Sequence, residues 1–476
     1  MQDVGIVEPP ASREPGGALT GAVPPARRLP WWRRHWRGLA AGAAVLVLVL
    51  PSVVQSAQER RRLAGLADVP GIVGPLGGPP HELWSDLSTG SATTHDVGGV
   101  LVGTWRGETE GAVARGVDAR AGTAVWSLPL AGPHASGDQC ALADGAVDGP
   151  HRAMLACVVV DQAPAPPVDY PDTSTHATKV HLAVIDPRTG HVLATYPATP
   201  TDTISSLGTD IAIGSVVDGR SEVTRFDPRT GRTVWTARPV STSAPDVALT
   251  GASVSSSGDG LLVDAGTQVW ELSAAGAVVH EWSGLPVDDG WSIRATPGGH
   301  VVRTTYARTG RGTTTTDLTT GATIVTPPDQ QVMTGPDDGS APMLLLTSGP
   351  ALTAWDLATG DLRWTTNGAV SAVVVLDGTV YSIGAGALRA QDAATGAVRW
   401  TVHVDAAAGV SLETDGRSLL VLDAAAASAG SLLRGVDLQD GSSRWTSSLT
   451  GPPGPMLVLA HHLFTTTDDG HMVALG

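Results

Sequence analysis

The sequence predicts an all-β protein, a propeller of about eight blades with seven to nine allowed, preceded by one transmembrane helix. Three observations predict it. A nine-residue pattern returns with fixed internal spacing, the composition is rich in turn formers and poor in charge, and one uncharged run stands near the N-terminus. The 476 residues include 58 Gly and 34 Pro, which suits short strands joined by tight turns better than long helices. With 42% hydrophobic and 16% charged residues, the chain can bury a sizeable core. Acidic residues outnumber basic ones by 46 to 30, which argues against nucleic acid as a partner.

The repeat is Asp-x-x-x-Gly-x-x-x-Trp. Five copies are complete: Asp118, Gly122, Trp126; Asp227, Gly231, Trp235; Asp356, Gly360, Trp364; Asp392, Gly396, Trp400; and Asp437, Gly441, Trp445. Two keep the first pair alone, Asp186 and Gly190 with Ala194 in the Trp slot, and Asp317 and Gly321 with Val325 there. A badly worn copy around Gly276 has Leu272 and His280 in the outer slots. Apolar runs such as Val100-Leu101-Val102 and Val373-Val374-Val375-Leu376 lead into the copies as strands. Gly at the turn accepts positive φ, the Asp side chain can bond the turn backbone, and the next strand carries the Trp. Such a sheet cannot bury both faces alone, so the units must stack around an axis, with Trp filling the gaps between them. The strands at Met456–Leu459, Leu463–Thr465 and His471–Leu475 lack a Trp strand after them, whereas Trp84 stands on a strand with nothing before it. Pairing the two ends would close the ring and hide both edges. The closing unit makes nine candidates; the expectation is eight, with one degenerate unit not forming a blade of its own.

Ala354-Trp355-Asp356-Leu357-Ala358-Thr359-Gly360-Asp361-Leu362-Arg363-Trp364 resembles the pyrroloquinoline-quinone-type (PQQ-like) propeller repeat, in which Ala-x-Asp and Thr-Gly precede a Trp strand. The resemblance covers residues 80–476 and implies the fold. It implies little about activity, because the family is named for quinoprotein dehydrogenases while many members bind no quinone. Those enzymes carry two adjacent cysteines over the cofactor; here Cys140 and Cys157 stand 17 apart, and no Cys-x-x-Cys-His for haem is present. No cofactor is expected. The two cysteines fit either a structural disulfide in an oxidising compartment or a pair of buried thiols.

Residues 38–54 carry no charge and include Ala43-Ala44-Val45-Leu46-Val47-Leu48-Val49-Leu50, the one stretch resembling a membrane span. Trp31, Trp32 and Trp36 precede it at headgroup level. Five arginines on its N-terminal side against three after it favour a cytoplasmic N-terminus. The alternative is a cleaved signal peptide ending near Ser56. The expected organisation is a disordered cytoplasmic tail over 1–37, the span over 38–54, a juxtamembrane linker over 55–80 and the propeller over 81–476. Residues 1–62 hold nine Arg and four acids, net +5, which leaves −21 of the total −16 on the exported part.

No nucleophile elbow, zinc-protease helix, Walker loop or dinucleotide fingerprint occurs, so no catalytic, cofactor or metal residue is assigned. His461, His462 and His471 read as surface histidines, because neighbours on a strand point to opposite faces. Asp288-Asp289-Gly290, Asp337-Asp338-Gly339 and Asp468-Asp469-Gly470 read as solvated turns. The expected function is a membrane-anchored extracytoplasmic platform that binds a protein or ligand without catalysis. The alternatives are a diverged quinoprotein-type or hydrolytic enzyme using the propeller channel, or an envelope assembly factor. The last resembles the propeller lipoprotein of outer-membrane β-barrel insertion but lacks a cysteine after the apolar segment to accept lipid.

Overall fold

The computed structural model describes residues 57–476 except 68, 87–88, 91–93, 108–110, 131–139, 144–151, 163–178, 200, 240–251, 284, 286–289, 307–312, 328, 405–410, 424–430, 450–452 and 468–470. The chain falls into two units, 1–62 and 63–476, and the second carries all the described sheet structure. The tail over 1–37 and the span over 38–54 lie outside the described residues. Among the described residues no helix is long and apolar enough to cross a membrane.

Among the described residues, nine antiparallel sheets follow one another along the chain. Blade 1 spans residues 89–129, blade 2 140–197, blade 3 203–237, blade 4 253–282, blade 5 291–326, blade 6 331–367, blade 7 372–403 and blade 8 412–449. Blade 9 takes its strands from Pro453–Leu459, His462–Thr467 and Met472–Leu475, and its fourth from Glu82–Asp86 at the other end of the propeller. Trp84 pairs with Ala474, and His81 and Gly476 exchange backbone bonds at 3.0 Å in both directions.

The expectation of eight blades is corrected to nine, because the worn copy around Gly276 forms a full blade. Its strands Ser253–Ser257, Gly260–Asp264, Val269–Leu272 and Val278–Trp282 pair in order. Leu272 in the Asp slot is fully buried, and Gly276 keeps the positive φ of 82° that the turn needs. Backbone conformation therefore preserves the blade where side-chain identity was lost.

The apolar interior is divided among the seams. Each of nine clusters of buried residues lies between one blade and the next: Trp126, Leu155 and Ile185 between blades 1 and 2, for instance, and Leu101, Trp105 and Phe464 between blades 9 and 1. Stacking faces in this way is how units too thin to bury themselves gain stability. The seams on either side of blade 5 hold four buried apolar residues each, against twelve between blades 1 and 2. Blade 5 also buries polar groups, with Arg303, Thr304, Thr305, Thr315 and Asp317 all largely out of water. Fewer apolar contacts mean a lower local opening free energy. The amides of Val301–Tyr306 are expected to exchange before those of Leu155–Val159 in hydrogen-exchange mass spectrometry, and the reverse order would refute this ranking.

The linker expected over 55–80 is corrected in part. Residues 57–66 are helical, Leu66 joins the cluster between blades 7 and 8, and Ile72 and Val73 are 2% and 3% exposed. Ile72 bridges Thr414 of blade 8, Val73 N donates to the Thr414 carbonyl at 2.8 Å, and Gly74 N to that of His461 in blade 9 at 2.7 Å. The Pro and Gly of this segment suggest a loose spacer, but its few aliphatic side chains find a seam to fill.

Candidate functional site

The seven repeat turns that keep Asp and Gly are built the same way. The Asp118 carboxylate accepts from the amides of Arg120 and Ala121 at 2.9 and 2.7 Å, and the amide of Gly122 closes the turn on the Asp118 carbonyl at 2.9 Å. The same Gly-to-Asp backbone bond recurs at Gly190, Gly231, Gly321, Gly360, Gly396 and Gly441 with Asp186, Asp227, Asp317, Asp356, Asp392 and Asp437. Amide donors hold the Asp118 carboxyl below the usual carboxylate range. Arg363 does the same for Asp356, and Arg399 for Asp392, across ion pairs of 2.7 and 2.9 Å. These arginines immediately precede the repeat Trp, as does Arg444 on Asp437 at 3.6 Å, a regularity the sequence analysis passed over.

The Trp of one blade lies over the turn of the next, and its indole N–H reaches the carbonyl one or two residues beyond the Asp slot. Trp126 donates to Pro187 at 2.8 Å, Trp235 to Ala274 at 3.0 Å, Trp364 to Ala393 at 2.9 Å and Trp400 to Leu438 at 3.1 Å. Trp84 closes the ring in the same way on Ala119 at 3.0 Å. Trp445 instead packs over Gly435 of its own blade and joins the cluster between blades 8 and 9. Three seams are served by residues the repeat did not mark. Trp282, two places after the His280 slot, donates to Leu318 at 2.7 Å. Tyr196, two places after Ala194, packs edge-on against Phe226 and over Gly231. At the slot of Val325 the side chain is 63% exposed, and Ile324 fills the seam instead. An offset of two keeps a strand side chain on the same face, as for Trp282 and Tyr196. Blade 5 pairs Thr315 with Ile324 without the bulge that accompanies the pairing of Ala354 with Trp364 in blade 6, so the filler there lies one place before the slot.

The turn glycines are needed for close approach as well as for φ. At Gly190, φ is 70° and a Cβ would lie 2.5 Å from the Trp126 ring; at Gly321, φ is 79° but nothing lies within 4 Å. Gly321→Ala should cost only the left-handed strain, about 1–2 kcal/mol. Gly190→Ala adds the displacement of a buried indole and should cost clearly more. Equal losses in urea melts would show that the ring is not held against this turn.

Cys140 and Cys157 form a disulfide across neighbouring strands of blade 2, their Cα atoms 4.2 Å apart. His461 Nδ1 donates to the Ile72 carbonyl, and His462 Nε2 lies 2.9 Å from Asp96 Oδ2. No cluster of metal-ligating side chains is found among the described residues. Asp288, Asp289, Asp468, Asp469 and Gly470 lie outside them. The solvated-turn reading of Asp337-Asp338-Gly339 is corrected: Asp338 takes the amides of Ser340 and Asp377, tying blade 6 to blade 7, and burial pushes the Asp337 carboxyl up. Asp337 and Arg294 line a cavity among the inner ends of blades 5, 6 and 7.

A family model described as outer membrane protein assembly factor BamB matches residues 298–460, from blade 5 into blade 9. The chain carries the PQQ-like propeller repeat. Among solved structures, BamB from Moraxella catarrhalis is 13% identical with a TM-score of 0.37, covering 83% of this chain and 99% of its own. The dihydro-heme d1 dehydrogenase NirN, in complex with DHE, is 12% identical with a TM-score of 0.38, covering 81% of this chain and 80% of its own. No curated protein matches the sequence.

Proposed function

We propose that this PQQ-like propeller is a protein-binding platform of the assembly-factor kind, held at the outer face of a membrane by residues 38–54. The observation that carries it is the match of residues 298–460 to a model described as an outer membrane protein assembly factor. The repeat residues support a scaffold role. Asp, Gly and, where present, Trp of the copies are spent on turns and seams, which leaves the blade surfaces free to vary. Export is supported by the Cys140–Cys157 disulfide, since such bonds persist in oxidising compartments.

The test is chemical cross-linking in intact cells followed by purification of the full chain. A protein recovered in constant stoichiometry supports the platform; recovery of the propeller alone at every cross-linker length refutes it. For topology, a C-terminal reporter should be active only outside the cytoplasm, and the mature protein should retain residues 1–37. A mature N-terminus at Ala57 would replace the anchor by a cleaved signal.

A further inference from the structure

A cavity of about 200 Å³ opens among the inner ends of blades 5, 6 and 7. Its wall is assembled from distant parts of the chain. Arg294 is the penultimate residue of the innermost strand of blade 5, Trp291–Ala295. Asp337 lies between the first two strands of blade 6, in a segment fastened to blade 7 where Val375 N donates to the Pro336 carbonyl at 2.8 Å. Pro70, from the segment that precedes the ring, lines another part, and a Cβ on the neighbouring Gly71 would lie 3.1 Å from the Pro336 ring. Met333, Leu344, Leu346 and Val373 supply an apolar wall.

Two opposite charges face this space without pairing. Arg294 has no hydrogen bond or ion pair among the described residues. Asp337 accepts one amide, from Gly339 at 2.9 Å, and is not in an ion pair with Arg294. Burial disfavours the charged form of both, lowering the Arg294 guanidinium and raising the Asp337 carboxyl, and each is only partly relieved by the field of the other. Leaving two ionisable groups half-desolvated and unpaired is costly, and a ligand that supplies both missing partners removes the cost. The cavity is smaller than the roughly 300–1,000 Å³ of drug-sized sites, which limits the occupant to a molecule of about one residue.

We propose that this cavity binds a free aliphatic α-amino acid, with its carboxylate on Arg294, its ammonium on Asp337 and its side chain against Met333, Leu344 and Val373. A guanidinium suits a carboxylate because it offers parallel donors. A peptide would present only one of the two charges at either end, whereas a free amino acid presents both. The site is independent of the protein-partner reading.

The test is isothermal titration of the full-length protein with L-leucine, with 4-methylpentanoate, which lacks the ammonium, and with 3-methylbutylamine, which lacks the carboxylate. Leucine should bind and each analogue should bind about tenfold or more weakly, a loss on the scale of one charge-assisted contact. Arg294→Gln and Asp337→Asn should each weaken leucine by a similar factor. Absence of leucine binding at millimolar concentration, or equal binding of either analogue, overturns the proposal. The comparison of analogues on the unmodified protein decides the matter even where a variant fails to fold.

Discussion

Trp364→Ala should destabilise the propeller by about 3–5 kcal/mol, the range for truncating a buried aromatic side chain. The ring is 8% exposed, lies among Leu346, Leu352, Val373 and Val375, and covers Gly396 of the next blade, where a Cβ would come within 2.7 Å of it. Glycine at that turn cannot move in to fill the hole. The Ala393 carbonyl also loses its indole donor, adding about 1 kcal/mol for a buried acceptor left without it. Val325→Ala, in the slot that sequence spacing alone assigns to the Trp of blade 5, removes a side chain that is 63% exposed and should cost below about 0.5 kcal/mol. Urea melts of the two variants check both values. A small loss for Trp364 would mean that the seam between blades 6 and 7 repacks and that the repeat Trp is dispensable.

Glu413→Gln should stabilise the protein at alkaline pH and change little in acid. Glu413 sits on the innermost strand of blade 8 opposite Leu420, and directly paired residues share a face of the sheet, here the face that carries the apolar seam toward blade 9. Burial alone raises its carboxyl from an ordinary 4.5 to about 8. The folded state thus keeps the proton over a pH range in which the unfolded chain has released it. Stability is unaffected below about pH 4, falls as the pH rises toward 8, and is constant above that. A tenfold change in ionisation is worth about 1.4 kcal/mol, so the penalty at pH 8.5 is at most about 5 kcal/mol. Glutamine carries none of it. A difference between the two proteins that does not change from pH 5 to pH 8.5 would show the carboxyl to be solvated.

The parts of this architecture visible in the sequence are those encoded within one turn. Asp118, Gly122 and Trp126 lie within nine residues, and their spacing is dictated by one tight turn and the pleat that follows, so the same letters return whenever that geometry does. What fills a seam depends on the neighbouring blade. Trp282 is identified by the Leu318 carbonyl 36 residues away and Tyr196 by Gly231, so nothing local separates them from other strand aromatics. The worn turn at Leu272 and Gly276 keeps only the glycine of the pattern, and that the glycine lies against Trp235 of the preceding blade is visible only once the two blades are stacked. The cavity was least legible. Pro70, Arg294, Asp337 and Val375 come together only after four separate parts of the chain are in place, and Asp337-Asp338-Gly339 has the composition of an ordinary surface turn.

The strand shared by the two ends of the propeller has a kinetic consequence. Every other strand pairs with one that follows it closely, so eight sheets can form while the chain is still emerging. Glu82–Asp86 must wait for Met472–Leu475, with 390 residues between Trp84 and its partner Ala474. Loop-closure entropy grows by about 0.6 kcal/mol per doubling, so this pairing costs about 2 kcal/mol more than one across a single blade. Until it is made, the first strand and the last sheet each present an open edge that another chain could capture, and the final annealing of the ring is the step at which a folding chaperone or domain swapping would act.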